Sequence, residues 1–243
     1  MPVALYAIAD LHLSQTADKP MDVFGPRWEN HTERIRENWQ NTVRPEDTVV
    51  VAGDLSWGVG MKESEADLLF LEQLPGQKIV LKGNHDLWWM TMKKLEESRE
   101  RLHLDSIRFL FNNAYETEDF ILCGTRGWLL ENVPSPDDEK ILLREAGRLR
   151  RSVEAGIRLQ KEHPGKEMVL FLHYPPAYGN QRSVPILDAI RESPAKQIFY
   201  GHMHQVDPER LIPQICGLPS RLIAADYLSF QPVRVERTEK TQM

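Results

Sequence analysis

Short apolar runs recur along the chain, and each breaks off at a glycine or a polar side chain. VALYAIA, TVVVAG, KIVLKG, IRFLF, FILCGT, MVLFLH, QIFYG and RLIAA have the length and β-branched or aromatic content of buried strands. Several are separated by segments whose apolar residues recur at helical spacing. Trp28 to Val43, Met61 to Leu74 and Trp88 to about Leu102 read as helices. A longer helix starts near Ser135-Pro136-Asp137-Asp138, with Ser135 as N-cap and Pro136 at the first helical position. Strands alternating with helices predict an α/β layered fold. IRFLF and FILCGT follow each other closely through FNNAYETED, which predicts a hairpin and therefore mixed sheets. One long polar connection, Ser14 to Asn30, separates the first strand from the first helix. Connections of that length are often functional or mobile.

Composition narrows the class. A chain of 243 residues with 41% hydrophobic and 8% aromatic content buries a substantial core, and we read residues 1–243 as a single domain. There is no window of about 18 apolar residues, so nothing is expected to span a membrane. The N-terminal run has no basic flank and ends in Asp10, which reads as a first strand and predicts a cytoplasmic protein. Cys123 and Cys216 are too few for a disulfide framework and are expected simply to be buried. The net charge of -6 argues against a protein that grips long nucleic acid by its phosphates. The most basic segment, LLREAGRLRRSVEAGIR, places Leu142, Ala146, Leu149, Val153 and Ile157 on one helical face. Its arginines are then expected on a solvated outer face.

Chemistry concentrates at the strand ends. Five of the eight histidines, His12, His85, His173, His202 and His204, sit at or just beyond an apolar run, as do Asp10, Asp54 and Asn84. In open α/β sheets ligands collect outside the carboxyl ends of the strands, so these segments could meet at one edge. Asp10-Leu11-His12 and His202-Met203-His204 have period two. If the strands continued that far, both members of each pair would point to one side. Gly53, Gly83 and Gly201 each precede a ligand candidate, where glycine allows a sharp turn or a close approach.

Taken in order, Asp10-x-His12, Gly53-Asp54, Gly83-Asn84-His85-Asp86, His173 and Gly201-His202-x-His204 resemble the signature of the calcineurin-like metallophosphoesterases. The resemblance implies a four-layer α/β/β/α sandwich with mixed sheets and two metals at the strand ends. It implies that Asp54 bridges the metals, that Asp10, His12 and His204 complete one site, and that Asn84, His173 and His202 complete the other. Carboxylate, imidazole and amide donors suit two divalent ions such as Mn, Fe or Zn. Two such ions bring +4, while Asp10, Asp54 and a bridging hydroxide return three negative charges. The remainder of roughly +1 attracts phosphate in an acidic protein. The implied reaction is hydrolysis of a phosphomonoester or phosphodiester by that hydroxide, acting on a phosphorylated small molecule. His85 is the candidate general acid, with Asp86 orienting it. GDLSWG departs from the phosphoprotein phosphatases of the superfamily, which carry Asp-Arg soon after Gly-Asp. Here Ser56 and Trp57 stand in that region. Arg126 in CGTRGW is a candidate replacement cation. Tyr174, Tyr178 and Trp57 could wall a pocket, whereas Trp88 and Trp89 are expected to pack. The competing readings are a catalytically silent metal-binding scaffold and a nuclease of the same superfamily.

Overall fold

The structure is a computed structural model, and it describes residues 2–129 and 136–238. The strands in chain order are β1 (Leu5–Ile8), β2 (Thr48–Ala52), β3 (Gln77–Leu81), β4 (Ile107–Phe109), β5 (Tyr115–Glu116), β6 (Phe120–Thr125), β7 (Glu167–Leu172), β8 (Ala177–Tyr178), β9 (Gln181–Arg182), β10 (Gln197–Tyr200), β11 (Gln214–Ile215), β12 (Leu218–Leu222) and β13 (Val233–Val235). The helices are α1 (His31–Thr42), α2 (Met61–Gln73), α3 (Met92–Arg101), α4 (Pro136–Glu162) and α5 (Val184–Arg191).

Two sheets stack face to face. One has the order β13-β1-β2-β3-β4, with β1 to β4 parallel and β13 antiparallel at its edge. The other has the order β11-β12-β10-β7-β6-β5, parallel from β12 to β6 with antiparallel β11 and β5 outside. Strand alternation creates the layers. Val49 and Val51 of β2 face a core shared with Ile35 and Trp39 of α1 and Leu68 and Leu71 of α2. Val50 and Ala52 face the opposite way and meet Leu122, Val169 and Phe171 of the second sheet. Leu170 and Leu172 of β7 then pack with Leu149 and Val153 of α4 and Ile186 of α5. Three apolar cores between four layers make the α/β/β/α sandwich.

The expected hairpin is not there. IRFLF supplies β4, which pairs parallel with β3, while FILCGT supplies β6 in the other sheet. FNNAYETED crosses between the sheets and contributes β5, which pairs antiparallel with Ile121 and Leu122 of β6. Each strand is instead claimed by a parallel neighbour distant in sequence, β3 for IRFLF and β7 for FILCGT.

Two helices start later than their apolar pattern. Asn30 adopts a left-handed conformation (φ 51°, ψ 28°), so α1 begins at His31 and Trp28 lies in the preceding short 3-10 turn. Thr91 caps α3 through its hydroxyl, leaving Trp88 and Trp89 in the turn before it. Ser135, the expected cap of α4, lies outside the described residues. The apolar stripe of α4 is buried at Leu142, Ala146, Leu149 and Val153 and half-buried at Ile157, but Glu145 and Ser152 are buried as well. Its arginines are partly engaged: Arg148 pairs with Glu145, and Arg150 reaches Glu192 at 2.7 Å. Both cysteines are free; Cys123 is buried and Cys216 half-buried. Among the described residues no helix is long and apolar enough to cross a membrane.

Candidate metal centre

The carboxyl ends of β1, β2, β3, β7 and β10 deliver seven ligand-type side chains to one edge of the sandwich. The strands do not continue to the ligands. Beyond β1 the chain turns through left-handed conformations at Asp10 (φ 59°) and His12 (φ 47°), and Asp54 (φ 51°) and His202 (φ 69°) do the same after their strands. Non-glycine residues enter that region at a cost, and such outliers gather at functional sites. The period-two pairs are therefore set by backbone turns rather than by pleating.

Backbone hydrogen bonds knit the turns together. Asp10 N–H donates to the Gly53 carbonyl at 2.9 Å and His12 N–H to the Asp54 carbonyl at 3.0 Å. The His202 amide donates to both oxygens of Asp10, at 3.0 and 2.8 Å. Two glycines are needed for close approach. A Cβ on Gly83 would lie 2.0 Å from Asp54 Oδ1, and one on Gly201 2.4 Å from Asp10 Oδ2.

The donors fall into two groups. Ligand atoms of Asp10, His12 and His204 lie within 4.8 Å of one another, and so do those of Asp54, His173 and His202. The adjacent pair His202 and His204 is thus divided between the groups. Asn84 joins the second through Oδ1, 2.7 Å from His173 Nε2. His173 Nδ1 donates to the Ala52 carbonyl at 3.1 Å, which leaves Nε2 as a bare lone pair facing an amide oxygen. Two acceptors in contact call for a cation between them. His12 Nε2 and His204 Nε2 approach to 3.1 Å in the first group.

The electrostatics of the side chains themselves carry the same message. Burial drives the Asp10 carboxyl up to about 7, partly opposed by His204. Burial also raises Asp54, and the neighbouring Asp10 and Asp86 add to it. His12 and His173 are pushed well below the usual imidazole range, by burial first and then by neighbouring histidines. Buried carboxylates and neutral imidazoles gathered around a common space suit divalent cations. The donor set contains no thiolate and fits two such ions.

Asp86 corrects the sequence-based expectation. It does not orient His85. One oxygen accepts the amides of Asp54 (2.9 Å) and Gly83 (2.7 Å). The other accepts Leu55 N (2.9 Å), Ser56 N (3.3 Å) and Trp88 Nε1 (2.9 Å). This buried carboxylate clamps the β2 and β3 loops, because two strand-end turns leave backbone amides that need an acceptor. Trp88 therefore packs, as expected, and also serves Asp86. Trp89 packs edge-on against Phe109.

His85 stands beside the donors without joining either group. Its amide donates to Asp54 Oδ1 at 2.8 Å, and its ring is 4.3 Å from that of Trp57 and 5.8 Å from His12. Burial lowers its proton affinity, helped by His202 and His204. Trp57 does wall the site, stacked on His12 at 4.9 Å. Tyr174 is buried with its ring 4.0 Å from His202 and shares a small apolar cluster with Tyr178 and Leu129. Arg126 is turned to Glu145 (3.2 Å) through Nη2 and lies over the Trp128 ring, so its guanidinium is partly engaged, while its buried Nε has no partner among the described residues. Its carbonyl receives the amides of His173 and Tyr174.

Sequence reasoning missed Asp226. It ends the run RLIAAD, the same strand-end signal that revealed the other donors. Its Oδ1 lies 2.9 Å from His204 Nδ1, and Oδ2 takes Arg27 at 3.2 Å. Burial would raise this carboxyl, but the bonds to His204 and Arg27 hold it below the usual range.

A family profile described as calcineurin-like phosphoesterase matches residues 4–206. The chain belongs to the calcineurin-like phosphoesterase family. Membership points to metal-dependent phosphoester hydrolysis, and two groups of candidate ligands are in place for it. No curated protein sequence matches the chain. Among solved structures it is similar to a phosphopantetheinyl hydrolase from Mycobacterium tuberculosis, at 16% identity over 96% of each chain with a TM-score of 0.51. It also matches a protein of unknown function from Aquifex aeolicus, at 15% identity over 96% of this chain and 95% of the other, with a TM-score of 0.47. At 16% identity the likeness to the hydrolase is one of fold.

Proposed function

We propose that the protein is a dinuclear metal-dependent phosphoesterase acting on a phosphomonoester or phosphodiester of small size. The observation that carries this reading is the pair of ligand groups, within 4.8 Å each, that share one strand-end edge and one cavity. Two divalent ions, Mn, Fe or Zn by the donor chemistry, would supply a nucleophile from water and offset charge on the phosphoryl oxygens.

The chain's own residues take distinct parts. Asp10, His12 and His204 would hold one ion, and Asn84, His173 and His202 the other, with Asp54 available to both. Asp226 keeps the His204 ring oriented by accepting its Nδ1 proton. Asp86 holds the loops that carry Asp54 and Asn84. His85 donates a proton to the leaving oxygen. Its proton affinity is lowered in the free site, and a bound phosphoester anion raises it again. Tyr174 backs the His202 ring, and Arg126 acts through the His173–Tyr174 turn that its carbonyl anchors rather than as a direct phosphate clamp. Residues 1–243 serve this one site as a single domain, since its ligands come from both sheets.

The test is metal analysis of the purified protein joined to turnover of nitrophenyl phosphate and bis-nitrophenyl phosphate, with Mn, Fe, Zn and Mg each supplied. Hydrolysis of either ester, abolished by Asp54→Asn, supports the reading. No turnover of any phosphoester with any of the four metals would sink it.

A further inference from the structure

The cavity over the ligand cluster has two unlike walls. One consists of candidate metal donors, among them His12, Asp54 and His204. The other is apolar. Met21, Phe24 and Trp28 come from the Ser14–Asn30 connection, and Trp57 from the loop after β2. This wall is built, not draped. Met21 and Trp28 are buried, and Trp57 Nε1 donates to Met21 Sδ at 3.1 Å. Trp28 meets the rings of His12 and His204 edge-on, at 5.8 and 5.5 Å. Phe24 stands at the rim, 55% exposed. Its carbonyl accepts from Gln205 Nε2 at 3.4 Å, which ties the connection to the His202–His204 segment.

Among the described residues lining the cavity there is no lysine or arginine. The nearest cation of the connection, Lys19, stands 5.9 Å from the Trp57 ring centre and does not line the cavity, so an anionic group there is met by the metal side and whatever is attached to it meets aromatic rings. The volume, about 200 Å³, is below the roughly 300–1,000 Å³ of sites for drug-sized ligands, so that attachment is small.

We propose that this wall selects phosphoesters whose alcohol is a compact aromatic or similarly flat apolar group, with the Ser14–Asn30 connection as the specificity element. The inference rests on the phosphoester reading above. The anion anchors on the metal side, and the ring buries its faces against Phe24 and Trp57, which Met21 and Trp28 back, where aromatic pairs add geometry to apolar burial.

Calorimetric titration of the manganese-loaded full chain with phenylphosphonate and with methylphosphonate tests it, because the two non-hydrolysable probes share a head group and differ in the apolar part. Phenylphosphonate should bind at least about tenfold more tightly. Phe24→Ala, a change at an exposed rim position, should reduce that ratio at least about threefold. Equal affinities, or a preference for methylphosphonate, overturn the inference while leaving the phosphoester reading intact. An unchanged ratio in Phe24→Ala overturns the part given to the connection. Failure of both phosphonates to bind overturns the inference together with the reading beneath it.

Discussion

The Nδ1 atom of His204 lies 2.9 Å from Oδ1 of Asp226, and the other carboxylate oxygen is held by Arg27. A histidine whose far nitrogen is bonded to a carboxylate presents its near nitrogen as a fixed, more basic ligand. Asp226→Asn should therefore leave every direct donor in place yet weaken binding of one ion by about 10- to 100-fold. Calorimetric metal titration reads this directly. Unaltered affinity for both ions would remove Asp226 from the site.

Asp86→Ala should act on the fold before it acts on chemistry. The substitution strips acceptors from the amides of Asp54, Leu55 and Gly83 and from the Trp88 indole. With each buried unsatisfied donor costing about 1–3 kcal/mol, a loss of at least ~3 kcal/mol is expected. Thermal or urea melting should show a large drop, together with loss of metal binding. A stable variant with only a displaced pH profile would restore the idea that Asp86 tunes His85.

Gly83→Ala probes close approach rather than turn geometry. The new Cβ would meet Asp54 Oδ1 at 2.0 Å and Asp54 N at 2.2 Å. Neither atom can yield without moving the carboxylate assigned to both ions. Metal stoichiometry should fall below two per chain. Full stoichiometry at wild-type affinity would show that the loop gives way freely.

Metal binding should weaken in acid. In the metal-free protein burial raises the Asp10 carboxyl to about 7, so below that pH the folded protein holds a proton that a cation must displace. Affinity at the Asp10 site should then fall as pH drops from 7 toward 5, by up to about tenfold per unit for this one group, with proton release on binding. Titrations in buffers of different ionisation enthalpy measure the released proton. Flat affinity across that interval would contradict the raised carboxyl.

His85→Ala should keep both ions and lose rate according to the leaving group. A nitrophenolate departs without help, whereas an alkoxide needs a proton. The expected loss is about 10²–10⁴-fold on alkyl phosphoesters and much smaller on nitrophenyl esters. Equal losses on the two would give His85 another role.

What the sequence alone determines follows from how local each signal is. Apolar runs of five to seven residues and the polar groups that end them are written in consecutive positions, so the strand-forming runs and the seven ligand candidates are legible in the chain itself. Spacing does not encode partners. The hairpin expectation fails because IRFLF and FILCGT are adjacent in sequence yet belong to different sheets. The role of Asp86 is hidden because its neighbour His85 is close in sequence, while three of the amides that claim its carboxylate, those of Asp54, Leu55 and Ser56, lie about thirty residues away in the β2 loop. Asp226 carries the same strand-end signal as Asp10 and Asp54, but only its contact with His204 gives it a purpose. Of the apolar wall only Trp57 is legible in the sequence, since Met21, Phe24 and Trp28 sit in two short 3-10 turns whose placement over the donors no local pattern encodes. The residues chose the chemistry available at the strand ends. Tertiary structure decided which donors share an ion, which carboxylate braces the loops and what faces the substrate, because those choices depend on contacts as distant as the 192 positions between Asp10 and His202.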